Sequence, residues 1–218
     1  MTVAILDHRL CFPNPEKANA EGLVAIGADL SVPRLLLAYR SGIFPWTASP
    51  VTWWSPDPRG IFLLDKFHIS RSLERVIRQG VFKVTLDKAF GEVMEGCAAS
   101  APGRQSTWIT REFLDAYGEL HEQGYAHSVE CWRGEQLAGG IYGVAIAGFF
   151  AGESMFHRVS NASKVALAYL VEHLRRKDFL LFDIQMVTRI TEQLGAVTIR
   201  RQAYLKRLGK ALAQNCAF

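Results

Sequence analysis

The chain has 218 residues, 49% of them apolar and 21% charged, with a formal net charge of +4 and a pI near 8.9. This balance fits one large globular domain, or one domain with a small lobe, and excludes a disordered chain. It also excludes a bilayer-spanning helix, because no apolar run approaches the roughly 20 residues required; even residues 137–150 are broken by Gly139, Gly140, Gly143 and Gly148.

In chain order, residues 1–60 are dense in turn signals: Phe12-Pro-Asn-Pro15, Gly22, Gly27, Pro45 and Ser55-Pro-Asp-Pro58. One helix is predicted there. Ser31 caps it, Pro33 suits its first turn, Leu35 to Tyr39 fill it and Gly42 ends it. The rest reads as a small irregular lobe without a core of its own. From residue 61 regular patterns dominate. Ser70 caps a helix with Leu73, Val76 and Ile77 on one face and Gly80 as its stop. Residues 81–86 read as a strand, and Asp87 as the cap of a helix carrying Ala89, Phe90, Val93 and Met94. After a polar loop, Thr110 precedes a helix with Phe113, Leu114, Tyr117 and Leu120, stopped by Gly124.

Strands follow: 127–132, a turn at 133–136, then 137–147 and 149–156 as a meander. A long helix over 161–177 ends in Arg175, Arg176 and Lys177, where positive charge suits the helix dipole. A short strand at 180–185 and a final helix over 202–213 complete an α+β pattern with a mixed sheet. No internal repeat or low-complexity stretch interrupts it. Residues 1–7 lack the basic, apolar and cleavage regions of a signal peptide, so the cytoplasm is the expected location. Cys11, Cys97, Cys131 and Cys216 lie far apart and read as reduced, mostly buried thiols.

Several residues stand out chemically. Within 180–185, alternation puts Asp183 and Gln185 on one strand face and Phe182 and Ile184 on the other. Such a polar pair either lines a cleft or belongs to a buried hydrogen-bond network. Glu153 sits between an apolar strand and Met155-Phe156, open either to solvent or to a partly enclosed site; Glu130 has the same two readings. Trp46, Trp53, Trp54 and Trp108 are either packing residues or stacking surfaces. Arg71, Arg75 and Arg78 recur on one helix, and Arg200, Arg201, Lys206, Arg207 and Lys210 have no intervening acid; each set is a solvated face or a phosphate track. A P-loop, a G-x-G-x-x-G fingerprint, a G-x-S-x-G elbow and an H-E-x-x-H pair are all absent, and the six His lack metal-ligand spacing. No metal, nucleotide cofactor or covalent nucleophile is therefore expected.

The segments Phe12-Pro-Asn-Pro15, Gly22-Leu-Val-Ala-Ile-Gly-Ala-Asp-Leu30, Tyr39-Arg-Ser-Gly-Ile-Phe-Pro-Trp46 and Trp53-Trp-Ser-Pro-Asp-Pro-Arg59 resemble those of the leucyl/phenylalanyl-tRNA–protein transferases. So do His68-Ile-Ser-Arg-Ser72, Thr107-Trp-Ile-Thr-Arg111, Gly152-Glu-Ser-Met-Phe156, Asn161-Ala-Ser-Lys164, Asp183-Ile-Gln185 and Leu194-Gly-Ala196. The resemblance covers nearly the whole chain in one order. It implies a small N-terminal lobe (1–60) on an acetyltransferase-like (GNAT) catalytic domain (61–218). It implies transfer of Leu or Phe, less often Met, from aminoacyl-tRNA to proteins that begin with Arg or Lys, marking them for degradation. Asp183 and Gln185 match the catalytic pair; Glu153, Trp46, Trp108, Tyr39 and Tyr117 match positions around the substrate cleft.

Because the ester of an aminoacyl-tRNA is already activated, orientation, charge stabilisation and proton transfer remain for the protein. On that reading Asp183 orients Gln185, which positions the amine, and Ile141, Phe150 and Leu170 line an apolar pocket. Trp46 and Trp108 stack the terminal adenosine, and Arg71, Arg75 and Arg78 hold tRNA phosphates. A monomer without cofactor is expected. Ile190, Gln193 and Ile141 stand where the family commonly has His, Ser and Met, so side-chain preference is open. The competing readings are a CoA-dependent acyltransferase, whose Gly-rich pyrophosphate loop is missing before the long helix, and a tRNA- or degron-binding module, which gives Asp183 and Gln185 no role.

Overall fold

A computed structural model describes residues 3–100 and 107–218. Part of the polar loop expected before Thr110 lies outside the described residues. The elements run β1 (Ala4–Leu6), β2 (Leu23–Gly27), α1 (Val32–Arg40), β3 (Phe44–Ala48), β4 (Val51–Trp54), β5 (Arg59–Phe62), α2 (Arg71–Arg78), β6 (Lys83–Leu86) and α3 (Phe90–Ala98). They continue with α4 (Arg111–Glu122), β7 (Ala126–Arg133), β8 (Gln136–Ile146), β9 (Phe149–His157), α5 (Ala162–Arg176), β10 (Leu181–Gln185), α6 (Arg189–Gln193), β11 (Ala196–Ile199) and α7 (Arg201–Leu212).

The chain is α+β with mixed sheets. The first sheet has the order β1-β2-β4-β3, so the N-terminal region is more regular than its turn density suggested. Its strands are short, β3 carries Pro45 and β2 stops at Gly27, which hides the period-two signal. A second, seven-stranded sheet has the order β11-β5-β10-β9-β8-β7-β6. Within it β9 and β10 are parallel, and every other neighbouring pair is antiparallel. A parallel pair needs a crossover, and α5 provides it.

Helices cover both faces of this sheet. Leu73 of α2 and Val165, Leu170 and Leu174 of α5 pack with Phe62, Phe150 and Phe182 on one side. On the other, Tyr39 of α1, Met94 of α3, Phe113 and Tyr117 of α4 and Tyr204 of α7 share one core with Trp53 of the small sheet. The N-terminal region thus buries its apolar residues against the large sheet. Among the described residues no helix is long and apolar enough to cross a membrane.

Local signals hold in most places. Ser70 Oγ accepts the Leu73 N–H at the start of α2, and Gly42, at φ 75°, ends α1. Asp87 does not cap α3. It sits at φ 54°, accepts the Ser128 N–H at 2.8 Å and pairs with His127 Nδ1 at 2.7 Å, tying β7 to the preceding turn. The nearby buried Glu130 is likewise structural, taking Ser128 Oγ and Thr85 Oγ1, each at 2.5 Å. Cys97 and Cys131 are buried, Cys216 is half-buried and Cys11 is exposed.

Candidate active site

Strands β9 and β10 pair from Leu181–Phe149 to Asp183–Ala151, and no register pair follows. Each is also bulged just past that point. Against β8, Tyr142 faces Ser154 and Gly143 faces Gly152, leaving Glu153 as the extra residue. Against β5, Ile61 faces Asp183 and Gly60 faces Gln185, leaving Ile184 extra. A bulge re-aims side chains and increases local twist. Two adjacent bulges at the divergence of two parallel strands open a gap, and Glu153 and Gln185 stand in it.

The bulge also separates Asp183 from Gln185. They pair with successive residues of β5, which point to opposite sheet faces, so the alternation that put them together does not hold. Asp183 is fully buried and lines neither of the two cavities beside the gap. Its Oδ1 accepts from Arg59 Nε at 2.9 Å and from the Gln185 N–H at 2.9 Å. Its Oδ2 accepts from Arg59 Nη2 at 2.6 Å and the Tyr204 hydroxyl at 2.9 Å. Arg59 is itself sandwiched between the rings of Phe44 and Tyr204, at 4.8 and 4.4 Å from their centroids, and donates Nη1 to the Gly42 carbonyl at 3.0 Å. Burial alone would lower the Arg59 pKa, but the Asp183 carboxylate outweighs it and the net shift is upward. Removing one partner of such a buried pair costs about 3–5 kcal/mol. Asp183 therefore fixes the Gln185 backbone, held at φ 55°, rather than standing in the gap. Arg59 and Tyr204, which complete this cluster, carry no local signal of the role; Arg59 closes a proline-rich turn segment, and Tyr204 is one aromatic residue of a basic helix.

Gln185 does reach the gap. Its Nε2 donates to Glu153 Oε1 at 3.3 Å, while the Tyr117 hydroxyl donates to Glu153 Oε2 at 3.3 Å. The Tyr39 and Tyr117 hydroxyls form a short hydrogen bond with each other. Burial lifts the Glu153 pKa to about 8, against the tyrosine hydrogen bonds, which lower it, and with the neighbouring Asp183 charge, which raises it. Tyr39 and Tyr117, expected around the substrate cleft, are fully buried and stand behind Glu153. Burial pushes both phenols well above their usual range.

Two cavities flank the pair. One, of about 170 Å³, is walled by Phe62, Ile141, Met155 and Leu167. The other, of about 150 Å³, is walled by Phe44, Pro45, Trp46 and Trp108. Glu153, Ile184, Gln185, Met186 and Thr188 line both. Ile141 thus lines the apolar cavity, and Trp46 and Trp108 line the aromatic-walled one. Phe150 and Leu170, expected in the apolar pocket, line neither; both are sealed in the core, Phe150 against Phe182 and Phe218, Leu170 one turn past the lining residue Leu167. Their effect is on stability, a Leu→Ala change at such a site costing about 2–5 kcal/mol. Trp53 is core as well, its Nε1 donating to the Gly27 carbonyl at 2.9 Å. Arg71, Arg75 and Arg78 are on α2, outside both cavities.

Chemically, the gap presents an amide oxygen and a carboxyl able to change charge near neutrality, between an apolar hollow and an indole-walled one. That suits an acyl-transferring enzyme acting on an amine. The family model described as leucyl/phenylalanyl-tRNA protein transferase matches residues 61–209, and the model of its N-terminal domain matches residues 28–57. A leucyl/phenylalanyl-tRNA–protein transferase of Anaeromyxobacter sp. (strain Fw109-5) is 49% identical over 97% of this chain and 92% of its own length. Relatives of the same description from Magnetococcus marinus and Enterobacter sp. (strain 638) are 51% and 48% identical, covering 93% and 98% of this chain and 89% and 92% of theirs. Among solved structures, L-PGS from Bacillus licheniformis is similar at 12% identity and a TM-score of 0.43, over 85% of this chain and 71% of that one. The chain belongs to the leucyl/phenylalanyl-tRNA protein transferase family and is an aminoacyltransferase.

Proposed function

We propose that this chain transfers Leu or Phe, and less readily Met, from aminoacyl-tRNA to the α-amine of proteins beginning with Arg or Lys, marking them for degradation in the cytoplasm. The observation that carries the reading is the Glu153–Gln185 pair, shared by an apolar cavity and an aromatic-walled one. The aminoacyl side chain enters between Ile141, Met155 and Leu167, and the terminal adenosine lies against Trp46 and Trp108. This puts the ester carbonyl beside Gln185. With its Nε2 turned to Glu153, the Gln185 amide oxygen is left to accept an N–H of the incoming amine.

The amine needs little activation. An α-amine has a pKa near 8, so losing its proton costs about 1–2 kcal/mol at neutral pH. Positioning supplies much of the remainder, and Asp183 contributes by locking the Gln185 backbone. An apolar pocket discriminates between side chains by only about 1–3 kcal/mol. Arg71, Arg75 and Arg78 track the acceptor-stem phosphates. We assign residues 1–60 to a small lobe and residues 61–218 to a GNAT-like domain, acting as a monomer without cofactor.

The test incubates the protein with Leu-tRNA or Phe-tRNA and a peptide beginning with Arg, then weighs the peptide. A gain of one leucyl or phenylalanyl residue is expected. Binding without a mass gain would reduce the chain to a binding module.

A further inference from the structure

Given aminoacyl transfer as proposed, we infer that Glu153, and not Asp183, is the catalytic residue that carries the proton from the attacking amine to the leaving ribose oxygen, with Tyr117 as its positioning residue.

A proton carrier must have an open lone pair within reach of the reacting atoms. Asp183 has none. A carboxylate offers about four acceptor positions, and those of Asp183 are met by Arg59 Nε, Arg59 Nη2, the Tyr204 hydroxyl and the Gln185 N–H. It is also sealed from both cavities.

Glu153 differs on each count. It lines both cavities, its contacts to Gln185 Nε2 and the Tyr117 hydroxyl are long at 3.3 Å, and the Tyr39 hydroxyl acts on it from behind. Lone pairs remain on both oxygens. An amine held by the Gln185 amide oxygen lies beside the carboxylate to which the same amide donates.

The charges around Glu153 support this division. The groups that act on it are Tyr39 of α1, Tyr117 of α4, Asp183 of β10 and Arg59 of β5; it acts in turn on Tyr142 of β8 and Tyr204 of α7. Arg59 is the cation of this set, and it is committed bidentately to Asp183. Of two neighbouring carboxyl groups, one is tied in an ion pair and the other is left to exchange a proton, a division of roles that separates acid from base in other sites. The Tyr117 hydroxyl, backed by Tyr39, donates to Glu153 and so favours its charged form.

During transfer the neutral amine forms an N–C bond to the ester carbonyl carbon, and the carbonyl electron pair moves onto oxygen. Glu153 takes the proton from the now positive nitrogen. The carbonyl re-forms, the C–O bond to the ribose breaks, and Glu153 returns its proton to the departing oxygen. The products are an amide and a free tRNA hydroxyl, with Glu153 again ionised.

The test measures kcat against pH at saturating acceptor, using two peptides whose α-amines differ in basicity. A rising limb near pH 8 that does not move with the acceptor belongs to the enzyme. Glu153→Gln should lower kcat by about 10²–10⁴-fold, the usual contribution of general acid–base catalysis, and abolish that limb while Leu-tRNA binding persists. Tyr117→Phe, which removes a hydrogen bond to the charged form, should shift the limb to higher pH. Added formate should restore transfer to Glu153→Ala and not to Asp183→Ala. The inference is overturned if Glu153→Gln transfers at the wild-type rate, if its limb is unchanged, or if formate rescues the Asp183 variant instead. Wild-type protein that fails to transfer at all would sink the aminoacyl-transfer reading itself, a separate result.

Discussion

Replacing Arg59 by Met leaves the Asp183 carboxylate buried with two neutral donors, the Tyr204 hydroxyl and the Gln185 N–H, and no cation. Methionine fills part of the space between the Phe44 and Tyr204 rings, so the loss is chiefly electrostatic. A broken buried pair costs about 3–5 kcal/mol. For a chain of this length each kcal/mol lowers the melting temperature by about 2–4 °C, giving a fall of roughly 6–20 °C. The assay is thermal unfolding at pH 7 of the wild type, Arg59→Met, Asp183→Leu and the double variant. Replacing a buried ion pair by apolar groups is often near neutral, so the double variant should regain part of the loss seen in Arg59→Met. The recovery stays partial because the Gln185 N–H and the Gly42 carbonyl are left without these partners. A single variant melting within about 2 °C of wild type, equivalent to ~1 kcal/mol or less, would refute the reasoning that Asp183 is held by Arg59.

A Cβ at Gly60 would meet the Met186 carbonyl carbon at 2.8 Å and the Val187 nitrogen at 2.9 Å. Gly60→Ala should therefore displace the backbone beyond Gln185 and lower kcat more than tRNA affinity; equal losses in both would contradict this. Glu153 has a folded pKa raised to about 8 from 4.5, so the folded state binds a proton that the unfolded state has released between those values. That contribution is full below pH 4.5 and fades as pH rises through about 8. Wild-type stability should thus fall relative to Glu153→Gln across this window, and parallel pH–stability curves would be the contrary result. Replacing Arg75 and Arg78 with Glu should weaken tRNA binding and reduce the slope of log affinity against log salt by about one for each phosphate no longer neutralised; an unchanged slope would move the phosphate track off α2.

Much of the fold could be read from the chain because its signals are local. α1, α2, α4 and α5 begin and end within a residue or two of the punctuation supplied by Ser31, Ser70, Thr110, Asn161 and the residues that close each helix. What could not be read depends on partners distant in sequence. β5 spans the four residues Arg59–Phe62, opens with a charge and a glycine, and is a strand because β10 and β11 lie on either side of it. α6 and β11 are too short to show a period. At the site, residue identities were legible but their directions were not. Alternation assigned Asp183 and Gln185 to one face, and a bulge at Ile184, set by the register against β5, undid that. Nothing in their own side chains separates the apolar Leu170, which is core, from Leu167, which lines a cavity; one turn of α5 decides it.

The guanidinium of Arg59 joins the carbonyl at the end of α1 to strand β10 and helix α7. Expressing either half of the chain alone would remove one end of this tether and bare the shared face around Trp53 and Tyr204. Order at the reacting centre and survival of the whole molecule are consequently one cooperative property. Loosening either half should cost activity and fold in a single transition.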